Sequence, residues 1–422
     1  FQHLEENKMM KKGLLILLCM PMIGFGQQTY VPDDNFEQTL INQGYDTVLD
    51  DYVLTANINQ LTILQVGSSN IADLTGVEGF TALDFLYCGD NQLTSLDVSN
   101  NYNLKELLCA DNQLQNLFLP SSVEILDCYY NQLLSLNTDS LPNLVNLDCS
   151  FNYISTLDLS NNIALDRLEC TGNQMTSLTL NDTALTFLRC SFNSLTSLDL
   201  SQNNNLTIAY VFMNQLNSLN TIGADTLASL YAFNNELTFL DISSNTNLRY
   251  LGLSNNHLTS LDVSNNSKLS TFTCGNNYFT SIDVSNNPSL WRLFCDSNQL
   301  TDINIGSKLL LEEFNCSENN LAQLDFSNVD KTNITSFHTR NNPNLFCIEV
   351  EDESWSTALW TDIDSWSSFS EDCYPTNVEE VLKERKVLKV IDVLGKQTKP
   401  QTNIPFIKIY DDGTVEKRII IE

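Results

Sequence analysis

Apolar residues recur along most of this 422-residue chain in one phrase, Leu-x-x-Leu-x-Cys-x-x-Asn-x-Leu, which returns about every 21 residues. The phrase is complete from Leu290 to Leu300. Such regular spacing is a property of stacked repeats and not of a single globular core. The first apolar residue of each phrase stands at Leu83, Leu104, Val123, Leu144, Leu165, Leu185, Leu206, Leu227, Leu248, Leu269, Leu290 and Leu311.

The spacing inside the phrase predicts a short strand followed by a bend. Leu293 and Cys295 are two residues apart, so a strand places both on one face, and Leu300 and Ile303 continue the apolar wall. One turn cannot bury this wall alone, whereas stacked turns bury it beneath a parallel sheet with strands about 4.8 Å apart. The repeated asparagine follows the strand, and we expect its side chain to bond backbone groups inside the bend.

The second half of the repeat, as at 258–266, is rich in Ser, Asn and Asp and predicts extended segments and turns. An aspartate recurs there at one position. We interpret these side chains as solvated turn residues, and a calcium ladder is the alternative. They are Asp97, Asp158, Asp199, Asp241, Asp262, Asp283 and Asp325.

The phrase closely resembles the leucine-rich repeat, and the resemblance covers residues 61–345. It implies a β-solenoid of 13–14 turns, with a parallel sheet on the concave face and extended segments and turns on the convex face. Residues 27–60 contain an amphipathic segment with Pro and Asp at its start, which predicts a helical N-terminal cap. Residues 346–375, rich in Trp, are expected to form the C-terminal cap.

Residues 1–26 are interpreted as an upstream extension followed by a secretory signal peptide. Lys11 and Lys12 precede a short apolar run, and small residues lead to Gly26. Lipidation at Cys19 is the alternative. No later stretch is long and apolar enough to span a membrane, so no membrane span is expected in the mature chain.

Residues 376–422 contain three strand-like runs and predict a short β tail. The runs around 392–396 and 410–417 resemble the end of the C-terminal sorting domain of the type IX secretion system. That resemblance implies recognition by the type IX machinery, followed by release or attachment at the outer cell surface. An ordinary small β extension is the alternative. The residues that carry the match are Asp392, Gly395, Tyr410, Asp411, Gly413 and Lys417.

The chain is strongly acidic, with 52 Asp and Glu against 21 Lys and Arg and a net charge of −31. Only nine of the basic residues fall between residues 27 and 375. Such a body is expected to repel nucleic acid and anionic membrane surfaces.

Of the twelve cysteines, Cys19 lies in the proposed signal peptide and the other eleven form two groups. Nine stand at one position of the repeat, where other turns have Val211, Ala232 and Leu253, so they are interpreted as small buried hydrophobes. Cys347 and Cys373 flank a segment after the last repeat that is expected to be irregular. We expect them to form a disulfide, which requires an oxidising compartment.

The concave face is predicted to carry the binding site. Positions two and four after the first Leu face outward, and the sequence suggests that Tyr210, Tyr231 and Tyr250 occupy one outward position on consecutive turns. For Phe151, Phe192, Phe212 and Phe233, packing along the sheet edge is the favoured interpretation. Further candidate ligand-binding residues are Tyr87, Arg167, Phe187 and Arg189.

No enzymatic activity, cofactor or metal is predicted, because His257 and His338 have no recognisable nucleophile motif around them. The sequence favours a secreted or surface protein that binds another protein or mediates adhesion, and its architecture resembles that of internalin-like adhesins. Two alternatives remain open, a carbohydrate-binding surface protein and a structural matrix component without a defined ligand.

Overall fold

The structure is a computed structural model that describes residues 26–180, 184–373, 387–393, 395–400, 402, 405–410 and 415–418. Its main element is a parallel sheet of fourteen strands, one for each turn of the solenoid. Every strand is three residues long, and its middle residue points into the core. The strands, in chain order, are Ile63–Gln65, Phe85–Tyr87, Glu106–Leu108, Ile125–Asp127, Asn146–Asp148, Arg167–Glu169, Phe187–Arg189, Ile208–Tyr210, Ser229–Tyr231, Tyr250–Gly252, Thr271–Thr273, Arg292–Phe294, Glu313–Asn315 and Ser336–His338.

The opposite, convex side contains turns and short paired strands, so the predicted β-solenoid of the leucine-rich-repeat type is confirmed. Each convex aspartate of the repeat accepts a hydrogen bond from the backbone N–H two residues further on. In one example, Ser243 N donates to Asp241 Oδ1 at 2.9 Å. The hydroxyl of Ser243 lowers the pKa of Asp241, and Ser264 does the same for Asp262. The paired convex strands are Ser95–Asp97 with Asn116–Phe118, Thr156–Asp158 with Ser177–Thr179, Ser197–Asp199 with Ser218–Asn220, and Ser281–Asp283 with Asp302–Asn304.

The N-terminal segment covers the first open turn, as a solenoid requires. A helix over Asp34–Asn42 begins at the N-cap Asp33, whose Oδ1 accepts bonds from two backbone N–H groups at 2.9 Å. Its apolar side buries Phe36 and Leu40. An antiparallel pair, Gln28–Tyr30 with Tyr52–Leu54, a helical turn at Thr55–Ile58 and a 3₁₀ turn at Val77–Gly79 complete this end.

The repeated asparagines satisfy backbone groups inside the bends, as the spacing predicts. Asn152 Nδ2 donates to the carbonyls of Cys128 at 3.0 Å and Cys149 at 3.1 Å, while its Oδ1 accepts from Leu133 N at 2.9 Å. Because Cys128 and Leu133 belong to the preceding turn, the side chain joins two turns together. Only 4% of Asn152 is exposed, so these backbone groups have no access to water as an alternative partner.

A second asparagine ladder, which the sequence reading did not distinguish from surface turn residues, runs under the convex side. Asn162 Nδ2 donates to the carbonyls of Thr138 at 3.1 Å and Leu141 at 2.7 Å. In one turn the buried Lys308 takes this role, with Nζ donating to the Val284 carbonyl at 2.8 Å. The position therefore requires a donor, and a lysine can supply it. The asparagines buried in this ladder are Asn101, Asn162, Asn203, Asn245, Asn266 and Asn287.

The C-terminal cap is more regular than the sequence suggests. Strands Leu324–Asp325, Cys347–Glu349 and Ser368–Ser370 form a parallel sheet that continues the convex side, and helix Glu353–Leu359 lies between the last two. Cys347 and Cys373 form a disulfide. The segment between them was expected to be irregular, and this was wrong because its apolar residues, such as Ile348, repeat the alternation of the solenoid without the leucine phrase.

The tail contains an antiparallel sheet of Val387–Asp392, Phe406–Tyr410 and Val415–Arg418. Asp392 Oδ1 accepts from Lys396 N at 2.9 Å, and Gly395 between them has a left-handed φ of 83°. The proposed sorting residues Asp411 and Gly413 and nearly all of the proposed signal peptide lie outside the described residues. None of the helices in the described part of the chain combines the length and apolarity that a membrane span requires.

Candidate binding surface

The first and third residues of each concave strand face outward, so the sheet presents two parallel columns of side chains. In-register pairing aligns each column across neighbouring turns. The first column runs through Arg167, Phe187, Ile208, Ser229 and Tyr250. The third-residue column runs through Glu169, Arg189, Tyr210, Tyr231 and Gly252.

Aromatic and cationic side chains meet at the middle of these columns. The rings of Tyr210 and Tyr231 are stacked with centroids 4.8 Å apart and an interplanar angle of 8°. The guanidinium carbon of Arg189 lies 5.0 Å from the centroid of Tyr210, and that of Arg167 lies 3.8 Å from the centroid of Phe187. These separations fall within the range of cation–π attraction.

Glu169 connects the two arginines. Its Oε1 is 2.5 Å from Arg167 Nη2, and its Oε2 is 2.9 Å from Arg189 Nη1. The arginine side chains are 44% and 41% exposed, while that of Glu169 is only 16% exposed, so the cations form the outer layer. We call Arg167, Glu169, Phe187, Arg189, Tyr210 and Tyr231 the central strip.

The prediction that Tyr250 continues the column of Tyr210 and Tyr231 was wrong. Tyr250 is the first residue of its strand and pairs with Ser229, while Gly252 pairs with Tyr231. Tyr250 stands two residues after the first leucine of its turn, whereas the other two tyrosines stand four residues after theirs. The tyrosine stack therefore ends at Tyr231, and Tyr250, 40% exposed, lies in the neighbouring column.

Tyr87 also lies apart from the central strip, six strands before Tyr210 in the sheet order. Its ring covers the backbone near Gly67, because a Cβ added to Gly67 would lie only 2.2 Å from the Tyr87 ring. Tyr87 thus packs over a position that only glycine can occupy. The structure brings together Arg167, Phe187, Arg189, Tyr210 and Tyr231 and leaves Tyr87 outside.

An acidic stretch precedes the central strip in the third-residue column. Asp127 and Asp148 occupy adjacent strands, followed by Glu169. Burial raises the pKa of Asp127 to about 6, and the nearby carboxylates of Asp148, Asp111 and Glu169 add to the rise. Burial likewise raises the pKa of Asp148. The concave face therefore changes from anionic to cationic and aromatic within a few strands.

A row of exposed apolar residues borders the sheet where the chain bends after each strand. The residue before the repeated asparagine has a left-handed φ in most turns. It is Asn234 or Asn255 in two of these turns, and in four others it is bulky. The rings of Tyr130 and Phe151 stack at 4.5 Å, and those of Phe212 and Phe233, one residue earlier in their turns, stack at 4.3 Å. The bulky left-handed residues are Tyr130, Phe151, Phe192 and Met213, with φ between 48° and 55°.

The nine ladder cysteines lie beneath this surface, fully buried and free. Burial raises the pKa of Cys88 and of Cys190 to about 12, so these thiols stay protonated and unreactive at neutral pH. Within the described residues, no group of three or more His, Cys, Asp or Glu side chains is arranged to hold a metal ion.

Comparisons with known proteins agree with this architecture. A family model described as the LVIVD repeat matches residues 247–274. Internalin J of Listeria monocytogenes serotype 4b (strain F2365) is 38% identical over 76 residues, which are 17% of this chain and 8% of the length of Internalin J. The fold therefore defines a leucine-rich-repeat solenoid of internalin-like architecture, a class that typically lacks enzymatic activity.

Among solved structures, the chain is similar to the functional domain of InlJ from Listeria monocytogenes, described as including a cysteine ladder. That match has 25% identity and a TM-score of 0.51, and it covers 94% of this chain and 99% of that one. YopM, a leucine-rich effector protein from Yersinia pestis, matches with 25% identity and a TM-score of 0.52 over 68% of this chain and 84% of its own. The Toll–Spätzle complex of Drosophila matches with 21% identity and a TM-score of 0.54 over 71% of this chain and 49% of that one.

Proposed function

We propose that this chain is a secreted or cell-surface protein that binds another protein through its concave face, in recognition or adhesion. The observation that supports the proposal is the central strip. Two of the nine basic residues between positions 27 and 375 stand there beside three aromatic rings. Tyr and Arg are the side chains most often found as anchors of protein interfaces.

The packing of the tyrosines favours a protein ligand over a carbohydrate. Tyr210 and Tyr231 stack face to face at 4.8 Å, which is also the spacing of neighbouring strands. The facing sides of the two rings therefore cover each other, and Arg189 lies over the ring of Tyr210. A sugar ring requires an open aromatic face, whereas a protein partner can bond the hydroxyls and pack against the edges. Burial raises the pKa of Tyr231, so its hydroxyl remains a donor at neutral pH.

The fold is compatible with this role. Toll, which has the same fold at low sequence identity, has been solved in a complex with Spätzle. The alternation of an acidic stretch with the central strip gives the concave face a charge pattern that a partner can match in one register. A partner with an acidic segment over Arg167 and Arg189 and a basic segment over Asp127 and Asp148 would fit that pattern.

Site-specific photo-crosslinking tests the proposal. A photoreactive phenylalanine analogue is placed at Ile208, which lies in the first column next to Phe187 of the central strip, and in a second protein at Tyr102, which is 72% exposed and outside the concave sheet. Each protein is incubated with surface extracts from the organism's surroundings, and crosslinked species are identified by mass spectrometry. A partner protein crosslinked from position 208 and not from position 102 is the expected result.

Affinity for the captured partner is then measured with the Tyr210→Ala/Tyr231→Ala double variant. We expect a loss of about 100-fold, since two interface anchors contribute at least about 1–2 kcal/mol each. Tyr102→Ala is the matched control and should bind like the parent protein. Unchanged affinity of the double variant, with its circular dichroism also unchanged, would refute the concave site. Binding to a glycan array by the parent protein, with no binding by the double variant, would favour the carbohydrate alternative.

We also propose that residues 1–26 direct export, that residues 27–60 and 346–375 cap the solenoid of 61–345, and that residues 376–422 are a type IX sorting tail. The three antiparallel strands of the tail and the turn at Gly395 are the supporting features. In a bacterium with a type IX system, deletion of residues 376–422 should leave the protein in the periplasm, while the full chain reaches the cell surface or medium. Equal surface levels of the two proteins would rule out a sorting role.

A further inference from the structure

Three polar side chains form a hydrogen-bonded chain at the C-terminal end of the concave sheet. Ser336 and His338 are the first and third residues of the last strand, so both face outward. Ser336 Oγ lies 2.7 Å from His338 Nε2. His338 Nδ1 is bonded to Oδ2 of Asp362, which follows the cap helix Glu353–Leu359.

The partners determine which atoms carry the protons. The Asp362 carboxylate, which also pairs through Oδ1 with Arg340 Nε, can only accept, so the proton on the neutral imidazole lies on Nδ1. His338 Nε2 is then the acceptor, and the Ser336 hydroxyl donates to it. The imidazole thus polarises the serine O–H bond and raises the electron density on its oxygen, while a carboxylate orients the imidazole.

The loop that carries Asp362 is fixed to the last turn by its backbone and side chains. The Asp362 carbonyl accepts from Thr339 N at 3.1 Å, and the buried Asp364 accepts from Asn341 N at 3.0 Å and Asn342 N at 2.9 Å. The adjoining Trp360 ring stacks on a core phenylalanine at 4.5 Å. The three polar groups are therefore held by rigid elements, as a reactive site requires.

A cavity of about 490 Å³ opens beside these residues. Ser336, His338 and Asp362 line one part of it, and Ile334, Trp355, Leu359 and Trp360 supply apolar walls. Its size falls within the range of small-molecule sites, and Thr332, Thr335 and Thr361 add polar surface to its lining.

We propose that Ser336, His338 and Asp362 form a serine hydrolase site for carboxylic esters with a small apolar acyl group. Ser336 Oγ attacks the ester carbonyl carbon, and His338 Nε2 takes the hydroxyl proton as the C–O bond forms. The intermediate then expels the alcohol, which receives this proton from His338, and leaves the acyl group on Ser336. Water repeats the sequence, releasing the carboxylic acid and restoring Ser336.

The role of Asp362 is positional, because it orients the ring of His338 and stabilises its protonated form. The developing oxyanion would meet the backbone N–H of Phe337. Backbone N–H groups alternate in direction along a strand, so the N–H of Phe337 points the same way as that of Thr339, toward the loop of Asp362.

The sequence analysis finds no recognisable nucleophile motif around His338, whereas the structure places the Ser336 hydroxyl 2.7 Å from its Nε2. Ser336 and His338 are separated by one residue, which is the spacing that puts two strand residues on one face. Asp362 lies 24 residues from His338, about one turn later, and could not be aligned because the cap lacks the repeat phrase. A Ser-x-His in a predicted outward-facing strand was the available signal.

Covalent labelling of the full chain with a fluorophosphonate tests the proposal, since this probe reacts with activated serine hydroxyls. Peptide mass spectrometry should find the adduct on Ser336, and the Ser336→Ala variant should lose it. Hydrolysis of p-nitrophenyl butyrate should fall to the buffer rate in Ser336→Ala and by about 10²–10⁴-fold in His338→Gln. Ser336 bonds no residue of the cap, so its variant should keep the parent melting temperature.

Ser229→Ala is the matched control, because Ser229 occupies the same strand position in a turn with a tyrosine in place of the histidine. It should retain full labelling and esterase activity. Absence of an adduct on Ser336 would overturn the proposal, as would labelling that persists unchanged in His338→Gln. Equal labelling of Ser229 and Ser336 in the parent protein would assign the trio a purely structural role and would also overturn it.

Discussion

The two asparagine ladders are expected to differ in their contribution to stability, although both are buried. Asn152→Ala removes an acceptor as well as a donor. The carbonyls of Cys128 and Cys149 keep a second asparagine, Asn131 and Asn173 respectively, at 3.0–3.1 Å. Leu133 N loses its acceptor at 2.9 Å and is left buried without a partner.

The convex ladder has the opposite balance. Asn162→Ala removes donors from the Thr138 and Leu141 carbonyls, but each keeps a backbone donor, Leu141 N at 3.0 Å and Leu144 N at 3.2 Å. Its own Oδ1 is buried without a partner, so the substitution also removes an unsatisfied atom. We expect Asn162→Ala to cost about 1 kcal/mol in the free energy of unfolding and Asn152→Ala about 2–3 kcal/mol.

Equilibrium urea unfolding followed by circular dichroism measures both costs, with the slope of the transition checked for each variant. Amide hydrogen exchange supplies a local reading, because solenoid turns can open independently of the whole array. The Leu133 amide should be protected in the parent protein and in Asn162→Ala, and should exchange faster in Asn152→Ala. An equal or larger cost for Asn162→Ala would refute this accounting of donors and acceptors.

Four further substitutions test other parts of the structure. Asp127→Asn should stabilise the fold by about 1 kcal/mol at pH 7.5 and have no effect near pH 4. Burial raises the pKa of Asp127 to about 6, so its ionisation destabilises the folded state as the pH rises from about 4 to about 6, and partial exposure reduces the size of this effect. Urea midpoints at the two pH values measure this. Lys308→Met should lower the free energy of unfolding by about 1 kcal/mol more than Lys308→Asn, because only asparagine supplies a new donor to the Val284 carbonyl. Urea unfolding measures the difference. Cys149→Ser should destabilise the fold by about 1–2 kcal/mol, because a buried hydroxyl requires a hydrogen-bond partner. Cys149→Val should destabilise it by less, because other turns have aliphatic residues at this position. Thermal unfolding compares the two variants. Phe192→Asn should raise the melting temperature, because asparagine tolerates the left-handed φ of 55° better than phenylalanine does.

The repeat phrase was sufficient to predict the solenoid, the inward asparagine and the burial of the cysteines, because each of these depends on spacing within one turn. The N-terminal helix was predictable for a similar reason, since Asp33 and the apolar period are local signals. The second ladder was not predicted because its turns read Ser-Asn-Asn. Either asparagine could point inward, and only the path of the chain through the convex bend buries Asn266 and leaves Asn265 outside.

The candidate site was harder to predict than the fold, because it depends on alignment between turns. A displacement of two residues moved Tyr250 to a different column, although its turn contains the expected tyrosine. The C-terminal cap, which supplies Asp362, lacks the repeat phrase, so its residues could not be aligned with those of the other turns.

The bulky residues at the left-handed position put strain on the backbone of four turns. Bulky side chains there cost about 1–2 kcal/mol each relative to glycine, and other turns have Asn, Asp, Ser, Glu or Gly. Phe151 and Phe192 nevertheless keep that position and remain 43% and 49% exposed. Ring contacts of Phe151 with Tyr130 and of Phe192 with Phe212 offset part of the strain, and we propose that the exposed ring area also belongs to the binding surface next to the strip that carries Tyr210 and Arg189.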